Sequence, residues 1–527
     1  MMEKNFRRLP VGVQSFESIR NEGFLYVDKT RYIHALVHGS KQYFLSRPRR
    51  FGKSLFLSML KAYWEGRKEL FEGLDIAELE QGNEEAWKIY PVFYFDFNGQ
   101  NYQAEGALEN VLDEHLSSWE DLYGIGNAKV TTLEARFRSL LRKASEQAGR
   151  NCVVLVDEYD KSLLETADDA ALAEHNKKVF KGFFGTLKSY DSYLQFVFIT
   201  GVTKFSKVSI FSDLNQLDDI SLNARYACMC GITEEELEEN FAPEIEELAQ
   251  VVKLGREECL AELRKMYDGY HFTPGSIGVY NPFSLLKAFS ENRLGAFWFA
   301  TGTPAFLAGK VKKMRLEAAR FTEGKIYSSE ATLTDYRFDN PDPVPLLYQT
   351  GYLTIYGYDE RRHRYALGFP NEEVKYGFLS GLLPAYVPAT RSSSGMDIFT
   401  LDDYIENGDT EGVREVFTAL FASIPYASDD APFEHYFQTV IYLVFTLLGQ
   451  YVHCEVHSAR GRADCIVETE EFVYIFEFKL DKSADEALAQ IEEKGYALPY
   501  AADKRKVYKI GASFESETRV LKDWKEA

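Results

Sequence analysis

The sequence predicts an α/β fold: a parallel sheet with helices on both faces, then a mainly helical middle region, then a smaller α/β unit at the C-terminal end. Three observations point there. Short apolar runs alternate with helix-period segments through roughly the first 200 residues, as in a helix-covered parallel sheet. The pattern turns helical near Gly231, and a strand-rich series resumes after Gly449. At 527 residues the chain exceeds one ordinary hydrophobic core, and the expected divisions are 1–230, 231–387, a small polar linker at 388–397, and 398–527.

Composition narrows the class. An apolar fraction of 45% with 15% aromatics excludes extended disorder, and no stretch reaches the length of a membrane-spanning helix. The charged N-terminus has no apolar run behind it, so no secretory signal is expected and the reading is cytoplasmic, with no membrane partner. Six dispersed cysteines without CxxC spacing argue against a disulfide scaffold or a structural zinc site. The formal charge of −21 repels phosphate overall, so any nucleic-acid contact requires a local basic groove.

Strands are expected at residues 42–45, 91–97, 152–156 and 194–200. Thr131-Thr132-Leu133-Glu134 offers a capping box, and Gly149 a stop, for the helix before the third strand. The first strand runs into Ser46-Arg47-Pro48-Arg49-Arg50-Phe51-Gly52-Lys53-Ser54 and then an apolar-faced helix. That is the context of a phosphate-binding loop. Backbone amides from Arg50 to Gly52 and the helix N-terminus would face phosphates, Lys53 would neutralise their oxygens, and the Ser54 hydroxyl would help hold Mg2+. Arg47 occupies the place of the motif's first glycine, where it can face the nucleotide or solvent if the turn does not need positive φ.

The third strand ends in Val156-Asp157-Glu158-Tyr159-Asp160, two carboxylates at the carboxyl edge where α/β sheets bind ligands. Asp157 can hold magnesium, and Glu158 can orient or deprotonate an attacking water. The fourth strand ends in Thr200-Gly201-Val202-Thr203, and either threonine can sense a terminal phosphate or simply cap the strand. With Gly23-Phe24-Leu25-Tyr26-Val27-Asp28-Lys29-Thr30 ahead of them, these motifs in this order resemble the bacterial AAA-ATPase-like family of P-loop NTPases over about the first half of the chain. The resemblance implies ATP bound with Mg2+ at Lys53, Ser54 and Asp157, and a family in which the first glycine is usually missing.

Near the C-terminal end, strands are expected at residues 451–456, 463–467, 472–480 and 506–511, with a helix capped by Ser483 before the last. Side chains alternate along a strand, so Glu477 and Lys479 share one face, and Asp464 on a neighbouring strand can join them. Two carboxylates can hold magnesium, while the ammonium stabilises charge on an attacked phosphate. Asp464, Glu477-Phe478-Lys479, Gln490 and Tyr496 resemble the PD-(D/E)XK nuclease superfamily, a restriction-endonuclease-like α/β fold, from about residue 432 to 514. Glu434 resembles the acid contributed by that family's first helix.

In the middle region, the aromatic pieces Tyr267-Asp268-Gly269-Tyr270 and Phe297-Trp298-Phe299 are expected at packing between lid and core, and a winged-helix-like unit can be placed near residues 346–355. His453, Glu455 and His457 can share a strand face, a pattern a half-exposed strand also produces. The combined reading is an ATP-binding P-loop protein, an ATPase by expectation, whose nucleotide state controls a Mg2+-dependent nuclease-like domain acting on DNA or RNA. The alternative is a non-enzymatic ATP switch whose inactive nuclease fold holds nucleic acid, a protein partner or a second copy of the chain.

Overall fold

The computed structural model describes residues 7–125, 131–204, 217–298, 326–334, 342–386, 398–422, 433–449, 453–456, 463–518 and 520–527. The chain divides into two compact units, Met1–Trp298 with Ile326–Glu373, and Phe299–Lys325 with Val374–Ala527. The expected division at residue 230 therefore separates two regions inside one unit. The expected linker at 388–397 lies outside the described residues. No described helix is long and apolar enough to cross a membrane.

The first unit is built on β1 (Gln42–Ser46), β2 (Val92–Asp96), β3 (Cys152–Asp157), β4 (Leu194–Gly201) and β5 (Asp218–Asp219), all parallel in the order β5-β1-β4-β3-β2. Every residue of β3 is buried, as an unbroken apolar run in a sheet covered on both faces requires. Register separates the two faces. Phe95 pairs with Val156 and so lies on the face opposite Leu155 and Phe198. The Phe95 face takes Phe137 at 5.3 Å and Phe183 at 5.5 Å, from the helices Leu133–Ala148 and Ala170–Ser189. The Phe198 face takes Phe56 at 6.0 Å from the helix Lys53–Trp64.

Local signals placed several helix ends. Gly149 closes its helix at φ 61°. The expected capping box at residues 131–134 is displaced by one, because Thr132 is the cap and its hydroxyl accepts the Ala135 N–H at 3.4 Å. Thr233 and Glu236 form a reciprocal box at the first middle-region helix, Glu234–Asn240. The helices Ala242–Val252, Arg256–Tyr267 and Pro282–Glu291 share one apolar core with it, centred on Leu237, Leu248, Leu263 and Phe289. An antiparallel sheet follows, β6 (Ile326–Ser328), β7 (Thr354–Asp359) and β8 (Arg364–Gly368), in the order β6-β8-β7. The segment read as winged-helix-like thus joins the helix Val344–Gln349 to β7.

The second unit holds β9 (His453–Val456), β10 (Cys465–Glu468), β11 (Phe472–Leu480), β12 (Lys506–Phe514) and β13 (Leu521–Glu526), adjacent in that order. The β11–β12 pair is parallel and the others antiparallel. The sequence reading carries this unit to residue 527 but places its last strand at residues 506–511 and omits β13. Leu-Lys-Asp-Trp-Lys-Glu is an edge strand, and the charges that protect such an edge from further pairing hide it from apolar-pattern reading.

The middle region grips the loop after β1. The indole N–H of Trp298 donates to the Arg49 carbonyl at 3.1 Å, and the backbone N–H of Trp298 donates to Glu373 Oε1 at 2.7 Å. The Ser284 hydroxyl donates to the same oxygen at 3.0 Å. Burial pushes the Glu373 carboxyl up to about 7 from an ordinary 4.5, an effect these donors only partly offset. The stability this shift contributes is fully present below about pH 4.5 and is lost as pH rises through about 7. The span corresponds to at most about 3 kcal/mol. Urea midpoints of the parent should fall between pH 5 and 8, whereas those of Glu373→Gln should stay nearly level. Equal slopes in the two proteins would refute this assignment.

Candidate functional site

β1 delivers the loop to the carboxyl edge of the sheet, where β3 and β4 also end. Gly52 is the N-cap of the helix Lys53–Trp64 at φ 90°, a left-handed conformation that a side chain disfavours. Lys53 folds back over the loop, its ammonium donating to the Arg47 and Pro48 carbonyls at 2.9 and 3.0 Å. Ser54 follows in the first helical turn.

The other loop side chains point elsewhere. Arg47 faces neither nucleotide nor solvent: it is 1% exposed and donates to the carbonyls of Ser46, Ser221 and Tyr226 at 2.9, 2.8 and 3.1 Å. Its guanidinium lies 4.0 Å over the Phe272 ring. Its φ is not positive, which is why the loop tolerates a non-glycine there. The Phe51 ring is buried edge-on against Tyr270 at 4.6 Å, so only its backbone is available to a ligand. Arg50 adopts φ 70° and lays its guanidinium over Phe283.

At the end of β3, the buried Asp157 accepts from the Thr200 hydroxyl at 2.7 Å and from Tyr94 at 3.4 Å. Glu158 sits at φ 51°, an uncommon conformation for this residue type that turns it out of the strand line. Burial raises its carboxyl pKa, the Lys53 ammonium draws it back, and Asp157 and Asp160 add to the rise. Asp160 is a buried brace: it accepts from the Val202 and Thr203 N–H groups at 3.1 and 2.6 Å and from the Thr203 hydroxyl at 2.7 Å. A Cβ on Gly201 would come within 2.7 Å of Asp160 and of Tyr159, so this approach requires glycine. Both threonine hydroxyls are therefore spent on acids, Thr200 on Asp157 and Thr203 on Asp160.

Beside Gly52 opens a pocket of about 100 Å³ that the sequence reading did not foresee. Its walls are mostly apolar, among them Tyr26, Met59, Ile232 and Pro282, from segments far apart in the chain.

In the second unit, Cys465 pairs with Phe476, and continuing that antiparallel register by one residue sets Asp464 opposite Glu477 on the same face. Asp464 Oδ2 accepts the Phe478 N–H at 2.8 Å. Lys479 Nζ lies 2.7 Å from Glu477 Oε1 and donates to Gln490 Oε1 at 2.8 Å, while the Gln490 amide donates to Glu477. Burial raises both carboxyl pKa values, and Asp464 raises that of Glu477 further. Glu477 Oε2 is buried without a hydrogen-bond partner. Glu434 lies on the helix Phe433–Leu448, but its side chain, like those of His453, Glu455 and His457, is outside the described residues.

Residues 10–211 match the family described as predicted AAA-ATPase, and residues 432–524 match the PD-(D/E)XK nuclease superfamily. A protein of Azotobacter chroococcum mcd 1, described as an uncharacterized protein in the vnfD 5' region, is 36% identical over 523 residues, 97% of each chain. The chain belongs to this AAA-ATPase-like family with a C-terminal PD-(D/E)XK domain. No solved structure matches it.

This AAA-ATPase-like loop depends on residues that its motif does not name. Asp160 was visible as a third acid in Asp-Glu-Tyr-Asp, but nothing local marked it as a brace. Arg47 was legible only as a departure from the motif. Substituting Arg47 by Ala removes three hydrogen bonds and leaves buried carbonyls unpaired, which should cost roughly 2–4 kcal/mol. Arg47→Gly, which restores the glycine of the motif, should lose at least as much. Denaturant midpoints measure this, and a Gly variant as stable as the parent would show that the guanidinium is no pin.

Proposed function

We propose that the first unit binds ATP with Mg2+ at the loop 47–54 and hydrolyses it, and that nucleotide state controls phosphodiester cleavage in the second unit. The observation that carries the first half is Lys53, held on two loop carbonyls beside Asp157 and Glu158 at one sheet edge. In this reading Lys53 exchanges those carbonyls for phosphate oxygens, and the amides ending at Gly52 cradle the phosphates. Ser54 and Asp157 hold the magnesium, with Thr200 as a positioning residue that aims Asp157. Glu158, its proton affinity raised by burial, orients the attacking water and accepts its proton. The pocket beside Gly52 is the space we assign to the base.

ATP with magnesium should then raise the melting temperature, because a ligand bound by the native state alone stabilises it by mass action. Lys53→Ala should lose that shift. Glu158→Gln should keep the shift and hydrolyse ATP on the order of 100-fold more slowly, whereas Asp157→Ala should weaken both. A parent whose melting ignores millimolar ATP would remove the reading. Equal loss of binding in the Asp157 and Glu158 variants would mean the roles are divided differently.

For the second unit the carrying observation is the unpartnered, buried Glu477 Oε2 facing the Asp464 side of the sheet, a donor set with a place for a divalent cation. A magnesium ion held there by Asp464 and Glu477 would supply water activation. Lys479, fixed by Glu477 and Gln490, would meet the charge that builds on the attacked phosphate. Labelled single- and double-stranded DNA and RNA should be cut with Mg2+ or Mn2+, and Glu477→Ala should reduce the rate about 100-fold or more while the fold persists. Lys53→Ala should change the rate if nucleotide state governs it. Unchanged cleavage by Glu477→Ala would assign the reaction elsewhere. A parent that binds nucleic acid without cutting it would favour the switch reading.

A further inference from the structure

Two histidines in the first unit stand one helical turn apart. His34 lies in the helix Thr30–Val37, and His38 caps it with its N–H on the His34 carbonyl at 3.3 Å. Positions i and i+4 share one face, so both imidazoles leave the helix on the same side, with ring centroids 4.5 Å apart. Across from them is Glu80, at the end of the helix Asp75–Leu79. A nitrogen of each imidazole and an oxygen of Glu80 all lie within 4.8 Å of one another. Among the described residues no other trio of histidine, cysteine or acidic side chains is so placed.

We propose that His34, His38 and Glu80 bind a divalent transition-metal ion of the zinc class, with a fourth coordination position left to water. The donor set is the first reason. Two imidazoles and one carboxylate suit zinc, cobalt or nickel, whereas magnesium prefers oxygen ligands alone. Preparation of the carboxylate is the second. Glu80 has no side-chain exposure, and its Oε1 accepts from Tyr63 at 3.0 Å while its Oε2 accepts from Asn83 at 2.6 Å. Such outer hydrogen bonds hold a ligating oxygen in position.

An ordinary ion pair explains part of this group but not all of it. His38 Nε2 lies 3.0 Å from Glu80 Oε1, and that contact needs no metal. It gives His34 nothing to do. Tetrahedral zinc with bonds of about 2.0–2.2 Å brings its ligand atoms to about 3.4 Å from one another. Partly exposed rings can rotate to close the remaining gap, since the His38 side chain is 46% exposed. A bound ion would fasten the helix Thr30–Val37 to the helix Asp75–Leu79. The same helix is tied to β1 by the Tyr43 hydroxyl, which donates to the Leu36 carbonyl at 3.0 Å. The site thus sits on the segment that leads into the phosphate loop, outside the loop itself.

The test is titration of the untagged full-length protein with Co2+, read by its visible d–d absorption, together with thermal melting in Zn2+ without nucleotide. One equivalent of Co2+ should bind with the bands of nitrogen–oxygen ligation, and Zn2+ should raise the melting temperature. His34→Gln should weaken both by at least about tenfold, an effect that an ion pair of His38 with Glu80 alone would not produce. Glu80→Gln, which keeps the side-chain shape, should do the same, and Glu477→Ala should leave this equivalent in place. Absence of Co2+ binding, unchanged binding in His34→Gln, or thiolate charge-transfer bands would each overturn the proposal.

Discussion

Burying a guanidinium demands that polar groups be held ready to receive it. Arg47 meets that demand with the carbonyls of Ser46, Ser221 and Tyr226 and the face of Phe272. Those four groups come from the end of β1, the segment after β5 and the middle region, so the first unit must close around the loop for the charge to be satisfied. The remaining loop contacts follow the same logic. Phe51 enters an aromatic group with Tyr270, and Trp298 holds the Arg49 carbonyl. A loop that ordinarily owes its shape to glycine here owes it to partners outside the motif.

The two acidic sites are prepared alike. In each, one carboxylate is held by short hydrogen bonds and another is raised in pKa by burial and by its neighbour: Asp157 with Glu158 in the first unit, Asp464 with Glu477 in the second. An ammonium stands near each pair, Lys53 and Lys479. Such clustered, desolvated charge costs stability unless a ligand balances it, and it is characteristic of sites built to bind cations or phosphates.

Glu373 gives the middle region a stake in the loop. It accepts the backbone N–H of Trp298, whose indole N–H donates to the Arg49 carbonyl of the loop.

Much of this was legible in the sequence because the signals were local. Alternating and continuous apolar runs set four strands in each of the two five-stranded sheets, capping residues set several helix ends, and the side-chain period of a strand put Glu477 and Lys479 on one face. Gly52-Lys53-Ser54 and Asp157-Glu158 are legible as a candidate phosphate site because their chemistry is carried by neighbours in the chain. The i, i+4 spacing of His34 and His38 is equally local, but the pair by itself names no third ligand. What tertiary structure alone decided is where long-range partners fall. The direction of Arg47 depends on carbonyls more than 170 residues away, and the bracing by Asp160 on backbone amides just past β4, some 40 residues on. Glu80 meets the two histidines only when two helices pack, and the pocket beside Gly52 exists only where the N-terminal segment meets the middle region. Hydrogen bonds and burial are properties of space, and a sequence records spacing along the chain alone.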